Sequence, residues 1–349
     1  MTQLSPTSIG RLTGELIEGG FVSEAGMGSS LGLGRKATLI QINENRLLAV
    51  GVSIDKGIIR TGIVNIMGEL LFQQEKLINS SVQQEELLAI VTELLQSTLK
   101  QCREVYDVDA IGVGISVPGP VVWPDGIMQY SPQFRWGHFD IRRKLQENLG
   151  RSDVLVENNV KAMAVAEHLF GDMKENPDFI VMNVGSGIGA AVISKGKLSR
   201  GAKNFLGEIG HTIVDVNGPV CDCGRRGCFQ TYVSMDYVEK HFDLPFYEVI
   251  KRSRDGDAAV NKFLQVIIER FAIMTANLVN YYDIKSVVYE GKMQREWPEM
   301  VDMIKNRATS LLWHDLQADL DVVAADIKSE MISAAAVVFN EFWSTDRME

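Results

Sequence analysis

Four side chains in one glycine-rich segment, His211, Cys221, Cys223 and Cys228, have the types and spacing of a metal clip. The pattern is His-x9-Cys-x-Cys-x4-Cys, with Gly218-Pro219, Gly224 and Gly227 between the ligands. Glycines let a backbone fold tightly enough to aim three thiolates and an imidazole at one tetrahedral centre. Four protein donors leave no open position for water, so the predicted zinc ion is structural and braces a loop; it does not generate a hydrolytic nucleophile. The bland alternative is a reduced, metal-free thiol cluster. Only four cysteines are present, three of them too crowded for a disulfide framework. Cys102 stands apart near the end of an amphipathic stretch and reads as a small core residue.

The elements that must position this segment follow an α/β grammar. Leu47 to Ile54 reads as a β-branched strand, Ile58 to Asn65 as a second, and a Met67-Gly68 turn leads into a third at Leu70 to Phe72. The grammar returns at Phe179 to Val184, then at Ala190 to Ser194 after the glycine turn Gly185 to Gly189, and at Leu198 after Lys195-Gly196. Each half of an internal duplication thus opens on strand, turn, strand, turn, strand. Between them lie a helix carrying Leu87, Leu88, Val91, Leu94 and Leu95, and a strand from Ala110 to Val117 ending at Pro118-Gly119-Pro120. Further on, Phe263 to Val279 is helical, Ser286 to Tyr289 is a short buried strand, and a last helix spans about Ser329 to Phe342. A duplicated α/β fold invites a ligand between its halves.

The first 45 residues differ. Ser5-Pro6 before Thr7 to Glu18 fits an N-cap with proline at the first helical position, and Gly19-Gly20 ends that helix. A glycine-rich loop at Gly26 to Gly34, then Arg35-Lys36 and a possible strand Ala37 to Ile42, gives the order of the second half of a winged helix-turn-helix.

Composition bounds the rest. With 349 residues and 46% hydrophobic content the chain can bury large cores and divide into two or three units. No run approaches the roughly 20 apolar residues of a membrane span, and no secretory leader pattern opens the sequence; the cytoplasm is the expected compartment. A formal net charge of -10 argues against coating of nucleic acid by the whole chain and leaves room for a small DNA-reading element.

Leu206 to Ser234, reading LGEIGHTIVDVNGPVCDCGRRGCFQTYVS, resembles the ROK family of sugar-responsive repressors, open reading frames and sugar kinases. The motif is long and specific, and the resemblance covers essentially the whole chain, because Leu4 to Glu24 also looks like the recognition-helix region of the family's repressors. It implies a two-lobed, actin-like, ribonuclease H-like fold, with His211, Cys221, Cys223 and Cys228 as zinc ligands under a sugar pocket. That pocket would take Asn158, Glu208 and His211 as hydroxyl partners, with Pro118-Gly119 shaping one wall. Carboxylate, amide and imidazole together answer the donors and acceptors of a polyol. Without the family, Glu208 and His211 read equally well as caps of the glycine turn at Gly207 and Gly210. Trp123 and Trp136 could stack on a sugar or serve packing.

Three departures bear on phosphoryl transfer. Asn159 stands where family kinases carry the aspartate that accepts the sugar hydroxyl's proton, and an amide cannot act as that base. Ser53-Ile54-Asp55-Lys56-Gly57 replaces the kinases' Asp-x-Gly-Gly-Thr phosphate loop. Tyr289-Glu290-Gly291 replaces a glycine run beside the nucleotide, where tyrosine and glutamate are expected to crowd and repel ATP. Gly185 to Gly189 keeps a phosphate-loop-like form, which a plain turn between strands explains at least as well. Gln230 replaces a glutamate that touches sugar in the family, keeping shape and removing charge.

In the family's repressors a full winged helix-turn-helix precedes the lobes. Here Thr7, Ser8 and Arg11 would open its recognition helix, and the positioning helices are expected to be missing; a remnant helix serving as a dimer arm is the alternative. The expected organisation is therefore a partial winged helix-turn-helix at 1–45, an N-terminal lobe at 46–158, a C-terminal lobe with the zinc loop at 159–326, and a C-terminal helix at 327–349 closing back on the N-terminal lobe. The expected function is a carbohydrate-responsive transcriptional regulator with its kinase centre lost. Asn158, Asn159, Glu208, His211, Gln230 and Gly119 would hold the effector. A DNA operator, a carbohydrate and a second copy, as a dimer or dimer of dimers, would be its partners, with no membrane. A sugar kinase and a sugar-binding module without DNA contact are the rival readings.

Overall fold

The computed structural model describes residues 5–27, 38–79, 81–131, 134, 136–327 and 329–344. Most of the predicted glycine-rich loop, from residue 28 on, and Arg35, Lys36 and Pro132 lie outside the described residues.

Helix α1 (Pro6–Glu18) starts where Ser5 Oγ accepts the Ser8 N–H at 3.1 Å, with proline inside the first turn, and is followed by the antiparallel hairpin β1 (Val22–Met27) and β2 (Thr38–Ile42). The first large sheet then forms from β3 (Leu48–Asp55), β4 (Ile58–Asn65) and β5 (Leu70–Leu77), and the long helix α2 (Gln84–Tyr106) leads to β6 (Val113–Val117). A small antiparallel sheet, β7 (Val121–Val122), β8 (Ile127–Met128) and β9 (Phe139–Asp140), precedes α3 (Ile141–Leu149). Strand β10 (Val154–Asn158) completes the first sheet and runs straight into α4 (Asn159–Leu169).

The second half repeats this plan with β11 (Phe179–Val184), β12 (Ile188–Ser194) and β13 (Lys197–Ser199). Residues 200–234 then form the cysteine-bearing loop. Helices α5 (Met235–Phe242), α6 (Phe246–Arg254) and α7 (Ala258–Tyr282) come before β14 (Ser286–Glu290). Two more helices, α8 (Lys292–Glu296) and α9 (Met300–Thr309), then β15 (Asp321–Ala324) and α10 (Glu330–Trp343), finish the chain. Both large sheets are five-stranded and mixed, in the orders β10-β6-β3-β4-β5 and β15-β14-β11-β12-β13.

Each sheet has its own apolar core. One joins Val50, Val52, Ile63, Leu87, Leu95 and Ile115; the other joins Met182, Val192, Phe271, Val279 and Tyr289. Helix α10 lies on β3 and β6, against a floor set by glycine. A β-carbon at Gly51 would stand 1.9 Å from the Met331 carbonyl oxygen, and one at Gly114 would stand 1.9 Å from that of Ala334. Helix α4 packs on α10 and on β11 and β12, so the two helices cross at the junction of the halves. There the buried Glu167 carboxylate of α4 accepts the Ile327 N–H at 2.7 Å, and burial pushes its pKa up to about 7.

Strand β5 runs five residues beyond the predicted Phe72, and the predicted strand from Ala110 begins only at Val113. No helix among the described residues is long and apolar enough to cross a membrane.

Candidate functional site

The cysteine loop is a folded knuckle. His211 ends a single helical turn (Ile209–His211), and short bridges pair Ile213 with Cys228 and Val220 with Arg226. Within it, Cys221 N–H donates to the Arg225 carbonyl and Gly224 N–H to the Cys221 carbonyl, each at 2.8 Å, which closes the turn holding Cys221 and Cys223. At Gly227 (φ 68°) a β-carbon would meet the Asp215 carbonyl oxygen at 1.5 Å, so only glycine lets the two arms touch.

This fold gathers the four predicted ligands. Their donor atoms all lie within 4.8 Å of one another, with His211 Nδ1 3.7 Å from Cys221 Sγ and Cys223 Sγ 3.6 Å from Cys228 Sγ. A tetrahedral ion with metal–sulfur bonds near 2.3 Å separates its ligands by about 3.7 Å, so the donor set and its spacing fit a four-coordinate metal. Burial opposes ionisation of Cys223, but the Arg225 backbone and guanidinium and the neighbouring thiols pull its pKa down to about 7. Cys228, fully buried, is pushed up to about 12. Burial lowers the pKa of His211, and Arg225 adds to this, which keeps the imidazole in the neutral form a metal requires. Gln230 donates from Nε2 to Cys221 Sγ at 3.4 Å, so its amide faces the cluster.

The residues predicted to meet a sugar sit beside this knuckle and at the junction of the halves. Asn158, at the end of β10, accepts from Val160 N at 3.0 Å and Lys161 N at 3.2 Å, and so caps α4; its Nδ2 donates to the Gly119 carbonyl at 3.0 Å. That bond ties the Pro118-Gly119 turn to the capped helix. Asn159 begins α4 and bonds through Oδ1 to Val160 N at 3.0 Å. Glu208 is partly buried and its pKa is raised by burial, against the pull of Lys161. Trp136 is a core residue, stacked on Phe134 and edge-on to Phe139.

Sequence reasoning missed a charged cluster behind these residues. Glu157, with no exposed side-chain surface, ion-pairs with Arg200 Nη1 and accepts Asn204 Nδ2 at 3.2 Å and Asn158 N at 2.7 Å. Asn204 reaches the Val121 carbonyl at 2.7 Å, and the buried Lys161 donates to the Asn204 carbonyl at 2.5 Å; burial lowers the pKa of that lysine. A glutamate and a lysine inside the apolar runs Val154 to Asn158 and Val160 to Ala166 were the available signal. The Arg200 guanidinium lies 4.0 Å over the Trp123 ring, so one face of that indole is already covered.

At the expected nucleotide side, the structure corrects one reading. Tyr289 does not crowd the cleft: it points into the second core, fully buried, with its hydroxyl 2.7 Å from that of Thr275. Glu290 is held by Asn183 Nδ2 at 2.5 Å and Arg295 Nη1 at 2.8 Å. Asp55 accepts the Lys56 N–H at 2.7 Å at the end of β3. At the amino-terminus, Ser8 Oγ is 2.9 Å from Ser5 Oγ, and Arg11 pairs with Glu15 at 2.9 Å. Thr7 is exposed.

A model of the ROK family matches residues 49–339. The putative xylose repressor of Caldicellulosiruptor sp. (strain Rt8B.4) is 32% identical over 316 residues, covering 84% of this chain and 77% of the relative. Among solved structures, a ROK family transcriptional regulator described as a homologue of the E. coli MLC protein superposes with a TM-score of 0.82 at 20% identity, over 97% of this chain and 89% of its own. A ROK family glucokinase from Streptomyces griseus, in complex with glucose and AMPPNP, superposes with a TM-score of 0.72 at 21% identity, over 84% of this chain and 99% of its own.

Proposed function

Because this chain belongs to the ROK family, we propose that it is a transcriptional regulator, a repressor, that responds to a carbohydrate and has no working kinase centre. The observation that carries this reading is Asn159. An amide stands at the start of α4 where the proton-accepting aspartate of a kinase would be, and its oxygen is taken up by the Val160 N–H of its own helix. The repressor relative supports the same reading.

The effector would lie between the halves, held by Asn158, Asn159, Glu208, His211, Gln230 and Gly119. His211, Cys221, Cys223 and Cys228 would hold a zinc ion whose part is structural, fixing the knuckle that carries His211. The chain divides in this reading at residues 45, 158 and 326, with the last helix returning to the first lobe. Helix α1 and the β1–β2 hairpin would be the recognition helix and wing of a winged helix-turn-helix, with Thr7, Ser8 and Arg11 toward an operator in a cytoplasmic dimer. The exposed apolar side chains Ile9, Leu12, Leu16 and Ile17 of α1 support a role for this element against a partner surface. Effector binding would shift the population toward one angle between the halves and reorient the amino-terminal element.

One observation favours the kinase reading: the Gly185–Gly187 turn is open, with space for a β-carbon at both glycines. ATP turnover over a panel of hexoses, pentoses and amino sugars separates the two. The regulator reading expects no turnover and a sugar-dependent change in retention of operator DNA; robust phosphorylation would overturn it.

A further inference from the structure

We propose that α4 is a lever that sets the orientation of the amino-terminal element, α1 with the β1–β2 hairpin. Its first turn adjoins residues assigned above to the effector, its C-cap residue bears on the β4–β5 turn, and that turn holds the joint on which the element pivots. This rests on the regulator reading above and names the route by which a ligand would act.

Helix α4 has 11 residues, a length of about 16 Å at 1.5 Å per residue. At one end Asn158 caps it and ties it to the Gly119 carbonyl. At the other end its C-cap, Phe170, lies against the Met67-Gly68 turn: a β-carbon at Gly68 (φ 80°) would stand 2.6 Å from Phe170 Cγ. The same ring meets Phe339 of α10 edge-on, with centroids 5.8 Å apart. Leu47, Ile66 and Leu70 pack against the apolar cluster that also takes up Phe170 and Phe339. A close-packed contact of this kind passes a displacement on instead of absorbing it.

The turn is itself stiff. Through Oδ1 the fully buried Asn65 accepts the Met67 N–H at 3.0 Å and the Glu69 N–H at 2.9 Å, and its Nδ2 donates to Glu69 Oε2 at 2.8 Å and to Asn45 Oδ1 at 3.3 Å. The neighbours of Asn45 hook the end of α1. Arg46 donates from Nε to the Gly19 carbonyl at 2.9 Å, with its guanidinium 5.7 Å from the centre of the Phe21 ring. Asn43 donates from Nδ2 to the Gly20 carbonyl at 3.0 Å and from its backbone N–H to the Phe21 carbonyl at 2.8 Å. Beside these hooks lies a cavity of about 400 Å³ formed by residues 18–20, 43, 45–46 and 106–108, between the end of α1 and the end of α2. A joint of polar hooks beside an open space can turn without breaking an apolar core.

The test places spin labels on the full chain at Leu12 in α1 and Gln96 in α2, through a ketone-bearing amino acid so that no cysteine is touched. Distance distributions are measured without ligand, with D-xylose and with N-acetylglucosamine, and calorimetry reports the binding of each sugar. Without ligand, Arg46→Met and Phe170→Leu should each roughly double the width of the distribution, as loss of a fixed joint allows, and Leu264→Ala in the second core should not. Gly68→Ala, which presses on the Phe170 ring from the turn side, should widen it too, and decides if Phe170→Leu fails to fold. A sugar that binds should shift the mean distance in the wild type and not in Phe170→Leu, with its affinity changed about threefold or less. Unchanged ligand-free widths in Phe170→Leu and Gly68→Ala would overturn the lever. A sugar that shifts wild type and variants alike would overturn it too, and the carbohydrate reading would stand. If neither sugar binds, that failure belongs to the carbohydrate reading, and the ligand-free widths alone uphold or overturn the lever.

Discussion

The two halves of the molecule repeat one topology strand for strand and differ in what they insert into it. In each half the first strand pairs antiparallel with the second and parallel with the fourth, and the same five-strand order results. In the first half β5 passes to α2 through residues 78–83, whereas in the second β13 reaches α5 only after residues 200–234. That insertion carries the cluster of His211, Cys221, Cys223 and Cys228, and Glu208. The turn after the first strand differs too: Asp55-Lys56-Gly57 in one half, Gly185-Ser186-Gly187 in the other. A shared scaffold thus carries different side-chain clusters where the copies diverge.

The largest effect expected from this asymmetry follows loss of the metal. Chelation, or Cys228→Ser, should remove one bound zinc per chain and collapse amide-exchange protection in residues 200–234 while β3, β4 and β6 keep theirs, because structural zinc sites contribute folding free energy locally. Equal loss of protection in both sheets would break the comparison, since the knuckle would then be holding the whole fold. Zinc loss measured together with effector titration also tests whether His211 couples metal to ligand.

Next in size is the packing of the crossed helices. Alanine at Gly51 or Gly114 drives a β-carbon into the backbone of α10, at 1.9 Å in each case, and the helix must lift. Each change should cost about 3 kcal/mol or more, in the range of overpacked cores, read as a fall in denaturant midpoint. The corresponding contact in the second half is softer: a β-carbon at Gly189 meets only the Val160 side chain, at 3.1 Å. Gly189→Ala should therefore cost less than half as much. A Gly189→Ala penalty equal to that of Gly51→Ala would show that the halves tolerate their crossing helices alike.

The crossing itself has a titrating lock in Glu167. Its pKa in the folded state, raised by burial to about 7, lies above the usual 4.5, so the native protein prefers the protonated acid. Below the unfolded value the contribution is fully present; it declines as pH rises through 7, because the unfolded chain ionises first. Stability should fall by on the order of 2 kcal/mol between pH 5 and 8 from this group, and Glu167→Gln should flatten that slope. An unchanged slope in the variant would remove Glu167 from the account.

How much of this could be read from sequence depended on periodicity and locality. The strand–turn–strand openings were legible because β-branched runs are bounded by glycine turns, and the His–Cys cluster because its members are close together in sequence. Helix α4 was not recognised: Val160 to Ala166 is buried on every side, so no amphipathic period marks it, although Asn158 stands as a ready cap. Tyr289 was misread because a strand buried on both faces gives no sign of which face meets the cleft. The Arg200–Trp123 stack joins residues far apart in sequence, which no local pattern can announce.

The smallest predicted effect tests the insertion at a single atom. A glutamate at position 230 would suit a sugar hydroxyl, but it has no N–H to offer a sulfur. Gln230 does, and its Nε2 stands 3.4 Å from Cys221 Sγ. A donor beside a metal-bound thiolate disperses its charge, whereas a carboxylate there would repel it. Gln230→Glu should thus lower zinc affinity about tenfold, measured by competition with a chelating dye, at little cost to folding. The same variant titrated with sugars sharpens the division of labour within the loop. If zinc affinity drops and sugar affinity holds, the amide serves the knuckle. Unchanged zinc affinity with altered sugar affinity would instead assign Gln230 to the pocket, and the exchange from glutamate would then be a change of ligand preference alone.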